Sequence, residues 1–216
     1  MIEKIQILLG LLFRLRNFRT LLSLRHRGYL VDIGWFKSAE KKIPIDKNGQ
    51  PIPWYSYPFL SFIEARLKNN FRVFEYGSGN STIWWAKRVG SVKAVEHNLS
   101  WFKKISSNLP DNVEIVHREA NDEKEYCREI FNSDTQYDLV IVDGVQRNCC
   151  LKVSIEKLNK DGVVILDNSE RREYQEGVRF LISKGFKKID FCGMGAMENC
   201  NTCTTCFYKE NNCLNI

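Results

Sequence analysis

Short apolar runs alternate with helical patterns over most of this 216-residue chain. Strand-like runs cover residues 72–75, 92–96, 113–117, 139–143 and 162–166, and helical patterns lie near residues 59–67, 82–89, 100–108, 122–131, 148–158 and 173–183. A repeated strand-then-helix order requires a parallel sheet with helices on both faces. Two further strands, near residues 187–191 and 204–209, are predicted to pair antiparallel at the sheet edge. The sequence therefore predicts a doubly wound, mostly parallel α/β sheet of seven strands.

The chain length fits one domain with an extension. A hydrophobic content of 44% in 216 residues supports one ordinary core and is short for two. We assign residues 59–216 to a single α/β domain and residues 1–58 to a helical, proline- and aromatic-rich extension.

The first thirty residues predict a basic amphipathic helix. They contain six Lys/Arg against Glu3 alone, whereas the rest of the chain is nearly balanced in charge. Apolar residues recur at helical spacing at Ile5, Leu8, Leu9, Leu12, Phe13, Leu15, Phe18, Leu21 and Leu22. The apolar run at residues 5–13 is too short to span a bilayer and precedes no cleavage site, so a cytoplasmic protein is expected. Packing or homodimer formation is favoured for this helix, with contact to an anionic membrane surface as the alternative.

Residues 41–58 contain four prolines, which exclude a regular helix. The turn at residues 46–49 predicts an ordered loop or a hairpin. Trp54, Tyr55 and Tyr57 have two interpretations, which the sequence leaves open. They form a lid on the substrate, or they attach the extension to the core.

A glycine turn follows the first predicted strand, in the sequence Glu75-Tyr-Gly-Ser-Gly-Asn-Ser-Thr82. Gly77 and Gly79 lack a Cβ and let a ligand approach the backbone. Glu96 ends the second strand, where a carboxylate can accept both hydroxyls of a ribose. Thr82 stands where a dinucleotide site has its third glycine, and the charge of Glu75 opposes a pyrophosphate but suits a cationic ligand.

Three segments resemble the class I S-adenosylmethionine-dependent methyltransferases: the glycine turn, Val95-Glu-His97, and Asp138-Leu-Val-Ile-Val-Asp-Gly144. Segments at residues 34–38, 51–58 and 161–169 are similar to bacterial methyltransferases of surface-polysaccharide and other small-molecule pathways. The resemblance implies a Rossmann-like fold with S-adenosylmethionine as cofactor. It places the methionine end at Glu75, Gly77 and Gly79, the ribose at Glu96, and the adenine between Glu119 and Ala120. The full set of expected cofactor contacts is Glu75, Tyr76, Gly77, Ser78, Gly79, Ser81, Thr82, Glu96, His97, Glu119, Ala120 and Asp143.

Asp143 is our first choice of catalytic base, because it ends the fourth strand at the carboxyl edge of the sheet. His117 also falls at a strand end and is the second candidate. Asp143, Asp167 and Asn168 are similar to the oxygen ligands of divalent-metal-dependent O-methyltransferases, which predicts a Mg²⁺ site as an alternative. In the other interpretation, Asp167 and Asn168 cap a turn through hydrogen bonds to the backbone.

Eight cysteines are present, and Cys200, Cys203 and Cys206 have a spacing that invites comparison with metal sites. Cys203 and Cys206 are predicted to face opposite sides of one strand, so ordinary thiols are expected instead.

The expected activity is methyl transfer to an oxygen or nitrogen of a small molecule or glycan. A catalytically inactive nucleotide-binding or scaffolding protein on the same fold is the alternative, since a fold does not prove turnover. A nucleic acid acceptor is disfavoured because the charge of the domain is nearly balanced.

Overall fold

The computed structural model describes residues 4–7, 10, 15–120 and 123–216. Helices α1 (Leu15–His26), α2 (Tyr29–Asp32) and α3 (Trp35–Lys41) lie in the extension before the sheet. Four residues of the predicted apolar stripe lie outside the described residues, namely Leu8, Leu9, Leu12 and Phe13. Within the described part of the chain, no helix has the length and apolar character needed to cross a membrane.

The seven strands are β1 (Arg72–Tyr76), β2 (Ser91–Glu96), β3 (Val113–His117), β4 (Tyr137–Val142), β5 (Leu158–Leu166), β6 (Lys187–Gly193) and β7 (Thr202–Tyr208). They form one sheet in the order β3-β2-β1-β4-β5-β7-β6. The first five strands are parallel, and β7 pairs antiparallel with both β5 and β6. The predicted fold class, with its antiparallel C-terminal strands, is confirmed.

Helix α4 (Tyr57–Glu64) directly precedes β1, and five α-helices of the described residues follow or separate the strands: α5 (Asn80–Ala86), α6 (Leu99–Ser106), α7 (Glu123–Arg128), α8 (Arg147–Ser154) and α9 (Gln175–Ser183). The largest difference from prediction lies between α8 and β5. The sequence pattern extends the helix to residue 158 and starts the strand at 162. Leu158 instead pairs with Tyr137 of β4, and the register shifts before Leu139 pairs with Val163. Tertiary pairing therefore starts the strand four residues before its predicted beginning and includes Leu158, which the pattern assigns to the helix.

The strands bury side chains on both faces, because successive residues of a strand point to opposite sides. Val73, Leu139 and Val163 face a cluster that includes Trp85 and Tyr55. Their strand neighbours Phe74, Val140 and Val164 face the other cluster. Helices α4 and α5 supply side chains to the first cluster, and α7 to α9 supply the second. Both faces are covered, as a doubly wound sheet requires.

The proline-rich segment is a hairpin whose ends pair at Ile45 and Pro51. The backbone N–H of Asp46 donates to the carbonyl oxygen of Gln50 over 2.9 Å, which closes the turn. Gly34 is packed against this turn with a φ of +82°, and a Cβ there would lie 2.3 Å from the backbone of Asp46. The hairpin prediction is confirmed, and a glycine is needed where α3 meets the hairpin.

The C-terminal strands contain a disulfide that the sequence interpretation missed. Cys192 of β6 and Cys203 of β7 are register partners, and their sulfurs are bonded. The expectation that these cysteines stay thiols is therefore wrong for this pair, because antiparallel pairing places the two Cα atoms 4.1 Å apart. Cys200 is exposed and Cys206 is buried, and the described residues contain no group of three His, Cys, Asp or Glu that could hold a metal.

Candidate active site

The glycine turn joins β1 to α5 at the carboxyl edge of the sheet. Glu75, on β1, is fully buried on the face toward α5. Its Oε2 accepts a 2.6 Å hydrogen bond from Thr82 Oγ1, and Thr82 Oγ1 also accepts the backbone N–H of Gly79 over 3.0 Å. The other carboxyl oxygen, Glu75 Oε1, is buried and has no hydrogen-bond partner among the described residues. Burial raises the pKa of Glu75 to about 8, against the opposing effect of the hydroxyls of Ser81 and Thr82.

Of the two glycines in the turn, Gly77 is the one the backbone requires. Its φ is +101°, and a Cβ there would lie 3.2 Å from the N atom of Gly144, in the turn after β4. At Gly79 a Cβ would meet only the Trp101 ring, at an ordinary 3.8 Å. Gly77 thus allows the turns after β1 and β4 to approach each other.

Glu96 ends β2 and is 3% exposed. Its Oε2 accepts a 2.7 Å hydrogen bond from Ser78 Oγ, and its Oε1 accepts the backbone N–H of Asn98 over 2.8 Å. His97 Nδ1 lies 3.0 Å from the same Oε1. This network fixes the carboxylate beside the glycine turn, at the place where a ribose is expected.

Carboxyl groups from three adjacent strands share one side of the sheet. Val73, Ile141 and Ile165 face the same buried cluster. Glu75, Asp143 and Asp167 each come two residues later in the chain, and side chains two residues apart along a strand direction point to the same side. Burial raises the pKa of Asp143, while Arg147 lowers it. Burial and the neighbouring Asp143 raise the pKa of Asp167. The edge of the sheet therefore collects carboxyl groups whose charged forms are disfavoured by burial, and a cation beside them would stabilise those charged forms.

Tyr55 belongs to the extension, and its side chain is buried in the core on this side of the sheet. Its side chain is fully buried, and its hydroxyl accepts a 3.4 Å hydrogen bond from Trp85 Nε1. Burial raises its pKa far above the usual range, and the charges of Glu75 and Asp143 add to the effect. Tyr55 belongs to the buried cluster on the face of the sheet that Val73 and Ile141 share.

Arg147 is a site residue that the sequence reasoning missed. It begins α8 and is 8% exposed, four residues after Asp143. Its Nη2 donates to Asp143 Oδ1 over 3.1 Å, and its Nη1 donates to Asn168 Oδ1 over 3.3 Å. Helical spacing could not have predicted this contact, because Asp143 lies before α8 and Gln146 between them has a left-handed backbone.

The three predicted metal ligands surround this guanidinium. Asp143 and Asn168 each direct an Oδ1 to Arg147, while Asp167 Oδ1 accepts a 2.6 Å hydrogen bond from Thr204 Oγ1. Asn168 also donates to Thr202 Oγ1 over 3.1 Å. The structure thus brings the three residues to one edge, arranged around a side-chain cation.

A cavity of about 340 Å³ opens beside the glycine turn. It is lined by Ser78, Gly79, Asn80, Ser81 and Asp143 from the sheet edge, by Lys42, Ile43, Pro44 and Trp54 from the extension, and by Trp101, Lys104 and Met197. Asn80 Nδ2 donates to the Pro44 carbonyl oxygen over 2.7 Å, and Trp101 Nε1 donates to the Ser78 carbonyl oxygen over 2.9 Å. The hairpin and α6 are therefore attached directly to the turn that they flank.

The aromatic residues of the extension divide between the two proposed roles. Trp54 is 46% exposed and lines the cavity, as a lid requires. Tyr55 and Tyr57 belong to the buried cluster and attach the extension to the core. The backbone N–H of Tyr57 also donates to the Met194 carbonyl oxygen over 2.9 Å, so the segment before α4 is bonded to the β6–β7 connection.

Several of the predicted cofactor contacts do not line the cavity, namely Glu75, Tyr76, Gly77, Thr82, Glu96, His97, Glu119 and Ala120. The Tyr76 ring is buried in the opposite core cluster, where its hydroxyl donates to the Cys127 carbonyl oxygen over 2.6 Å. His117 ends β3, two strands from β1, and its Nε2 is 3.2 Å from the His97 carbonyl oxygen. It does not line the cavity that contains Asp143. Glu119 is exposed and Ala120 is half-buried, directly before residues outside the described ranges.

Three solved structures share this architecture. Precorrin-6y C5,15-methyltransferase from Geobacter metallireducens has a TM-score of 0.57 at 16% identity, over 80% of this chain and 96% of that one. The O-methyltransferase TomG from Streptomyces achromogenes, solved with S-adenosylmethionine, has a TM-score of 0.55 at 17% identity, over 85% and 91%. An rRNA methylase from Streptococcus thermophilus has a TM-score of 0.52 at 14% identity, over 69% and 93%.

The chain has the class I methyltransferase fold. No model of a protein family matches the sequence, and no curated protein matches it either. Identities of 14% to 17% establish the shared fold alone. The activity has to be argued from the site that this fold carries.

Proposed function

We propose that this protein transfers a methyl group from S-adenosylmethionine to an oxygen or nitrogen of a small molecule or glycan. The observation that carries the proposal is Glu75, a buried carboxyl group at the glycine turn whose Oε1 has no hydrogen-bond partner among the described residues. A buried polar atom without a partner is costly, and a cationic ligand group at this position removes the cost. S-adenosylmethionine carries an ammonium and a sulfonium.

The residues of the edge fit this cofactor. Glu75 would hold the methionine ammonium, and Gly79, where a Cβ would meet only the Trp101 ring, leaves the backbone of the turn open to close approach. Glu96, already fixed by Ser78 and Asn98, would accept the ribose hydroxyls. Glu119 and Ala120 would flank the adenine.

When bound, S-adenosylmethionine supplies a methyl group on a positively charged sulfur, which leaves as a neutral thioether after transfer. The chain has to align the acceptor in line with that methyl group and take the proton of an acceptor hydroxyl or amine. Asp143 lines the cavity, and burial raises its pKa toward the range in which a carboxylate is an effective base. We therefore assign Asp143 as the base. The Asp143 carboxylate takes the proton of the acceptor hydroxyl or amine as the acceptor atom bonds to the methyl group.

The cavity favours an acceptor with a flat or apolar surface and polar substituents. Trp54 and Trp101 are both partly exposed there and offer aromatic faces of the kind that stack on rings and sugars. Lys42 and Lys104 add positive charge at the same cavity, which suits an acceptor with an acidic group. A nucleic acid acceptor is not favoured, since the chain outside its first thirty residues has nearly balanced charge.

Calorimetric titration tests cofactor binding directly. We expect saturable binding of S-adenosylmethionine and S-adenosylhomocysteine and none of NAD. Glu96→Ala should weaken S-adenosylmethionine binding by at least about tenfold, because the ribose loses its acceptor. Glu40→Ala changes an exposed residue of α3 and is the matched control. If Glu96→Ala keeps its fold and binds S-adenosylmethionine with unchanged affinity, the assignment of this edge as a nucleotide site is wrong.

A second experiment tests the base. Asp143→Asn keeps the shape of the side chain but removes the proton acceptor, so turnover should fall by about 10² to 10⁴-fold while S-adenosylmethionine still binds. Asp161→Asn, at an exposed position of β5, is the control. Methyl transfer by Asp143→Asn at the rate of the unmodified protein would exclude Asp143 as the base. Binding without product for any acceptor would favour a scaffolding role instead.

A further inference from the structure

Arg147 is enclosed by oxygen atoms from the ends of β4 and β5. Its Nε donates to the Gly144 carbonyl oxygen over 2.8 Å, and its Nη2 donates to the Asp143 carbonyl oxygen over 3.0 Å. Its Nη1 donates to the Asp167 carbonyl oxygen over 2.5 Å. With the contacts to the Asp143 and Asn168 side chains, the guanidinium makes five hydrogen bonds to five oxygen atoms.

This arrangement uses the whole donor capacity of the side chain, because a guanidinium has five N–H groups. One face of it also lies against the Tyr174 ring, with the Cζ atom 4.9 Å from the ring centroid. The side chain is 8% exposed, so the charge is held almost without solvent. A buried arginine with every donor satisfied is a fixed structural cation.

The oxygen atoms around Arg147 are of the type that Mg²⁺, Mn²⁺ and Ca²⁺ take in proteins. They comprise one carboxylate oxygen, one amide oxygen and three backbone carbonyl oxygens. A divalent ion bound by the Asp143 and Asn168 side chains would have to share them with the guanidinium or displace it. Sharing places like charges side by side in a buried region, and displacement leaves a buried guanidinium without its partners.

We propose that Arg147 replaces a divalent cation at this edge of the sheet, so that the protein needs no metal for methyl transfer. Arg147 is a positioning residue: it joins the ends of β4 and β5 and holds Asp143 through one carboxylate oxygen. The described residues donate no hydrogen bond to the second oxygen, Asp143 Oδ2, which leaves it available to an acceptor. The role of Asp143 in this statement rests on the proposed function, whereas the exclusion of a metal rests on the contacts of Arg147 alone.

Manganese binding tests the replacement without any need for an acceptor. Mn²⁺ is titrated into the unmodified protein and the free ion is measured by electron paramagnetic resonance. We expect no saturable site at the sheet edge. Arg147→Ala exposes the five oxygen atoms and should create one saturable Mn²⁺ site that the unmodified protein lacks. Arg147→Ala combined with Asp143→Asn should lose this site again.

Arg147→Lys is the control for charge. The lysine ammonium keeps a positive charge near the same oxygen atoms, so Arg147→Lys should bind no Mn²⁺. If Arg147 had only a structural role, Arg147→Lys and Arg147→Ala would give the same Mn²⁺ binding. Circular dichroism establishes that each variant is folded.

Two outcomes overturn the proposal. One is a stoichiometric Mn²⁺ site in the unmodified protein that disappears in Asp143→Asn, a result that holds even if Arg147→Ala does not fold. The other is a folded Arg147→Ala protein without Mn²⁺ binding. Once an acceptor is known, turnover should also be unchanged by EDTA and by added Mg²⁺. Failure to find any methyl acceptor would count against the proposed function and leave the Mn²⁺ result standing.

Discussion

At the scale of single residues, Glu75 combines binding potential with a cost in stability. Its carboxyl group is fully buried, one oxygen has no partner among the described residues, and the nearby Asp143 and Glu96 add negative charge. Such groups are kept in proteins at sites where a ligand supplies the missing interaction. Glu75 therefore lowers the stability of the ligand-free protein at the position that S-adenosylmethionine would occupy.

Glu75→Gln should make the ligand-free protein more stable, and more so at higher pH. The pKa of Glu75 rises from 4.5 to about 8 on folding. Between these values the unfolded chain loses a proton that the folded protein keeps, so the folding stability falls as the pH rises through this window. Glutamine does not titrate. The melting temperature of Glu75→Gln should therefore approach that of the unmodified protein near pH 4.5 and exceed it increasingly up to pH 8.

The same variant should bind S-adenosylmethionine more weakly, since the amide cannot carry the charge that a cationic ligand needs. Glu40→Gln, at an exposed position, should change neither property. A difference in melting temperature that stays constant from pH 5 to pH 8 would contradict the assignment of Glu75 as a buried, protonated carboxyl group.

At the scale of elements, the turn between β1 and α5 has a strict backbone requirement. Gly77 has a φ that other residues rarely adopt, and it faces the backbone after β4. The helix that follows is short, from Asn80 to Ala86, and Thr82 ties its first turn to both Gly79 and Glu75. The turn thus couples the backbone geometry of β1 to the position of the Glu75 carboxyl group.

Gly77→Ala should destabilise the protein by about 1–3 kcal/mol, because alanine at positive φ is strained and its Cβ meets backbone atoms. Gly79→Ala is the matched control in the same turn. Its φ of 162° is extended backbone, and its Cβ would make only an ordinary contact with Trp101, so the change should stay within about 0.5 kcal/mol. Urea unfolding measures both variants. Equal losses at the two positions would show that the requirement belongs to the turn as a whole.

At the scale of the whole molecule, the extension divides into an attached part and an exposed part. The segment from α3 to α4 is bonded to the body through Trp35 Nε1, which donates to the Glu198 carbonyl oxygen over 2.8 Å, and through Ser56 Oγ, which donates to the Phe191 carbonyl oxygen over 2.7 Å. In α1, by contrast, Leu21, Leu22 and Leu24 are exposed. The described residues do not cover these three side chains, and packing, homodimer formation and membrane contact of this helix all stay predictions.

Replacing both Leu21 and Leu22 by glutamate should therefore change the free energy of unfolding of the monomer by less than about 0.5 kcal/mol. Ile63→Ala, which empties a fully buried position of α4, should cost about 2–5 kcal/mol. Urea unfolding at two protein concentrations measures both. A loss in the double variant comparable to that of Ile63→Ala, present only at high concentration, would mean that α1 is buried between two copies of the chain.

Much of the site followed from local sequence rules. The alternation of apolar runs and helical patterns predicted the seven strands, because parallel strands and their covering helices bury side chains with periods that are visible in one dimension. The same two-residue period places Glu75, Asp143 and Asp167 on one face once the strands are adjacent. Glu75 near the end of β1, Glu96 at the end of β2, and Asp143 and Asp167 directly after β4 and β5 accordingly lie at the sheet edge where they were expected.

Tertiary structure decided which residues meet there. Trp101, Lys42 and Met197 come from three distant segments and share one cavity only because strand order and the hairpin bring them together. Arg147 became part of the site through contacts with the ends of two strands, and Cys192 met Cys203 through the pairing of β6 with β7. Local patterns report how a segment buries its own side chains, whereas contacts between distant segments depend on the packing of the whole chain. The sequence by itself therefore determined the sheet and its acidic edge, and the fold alone determined that an arginine lies where a metal ion was one of the expectations.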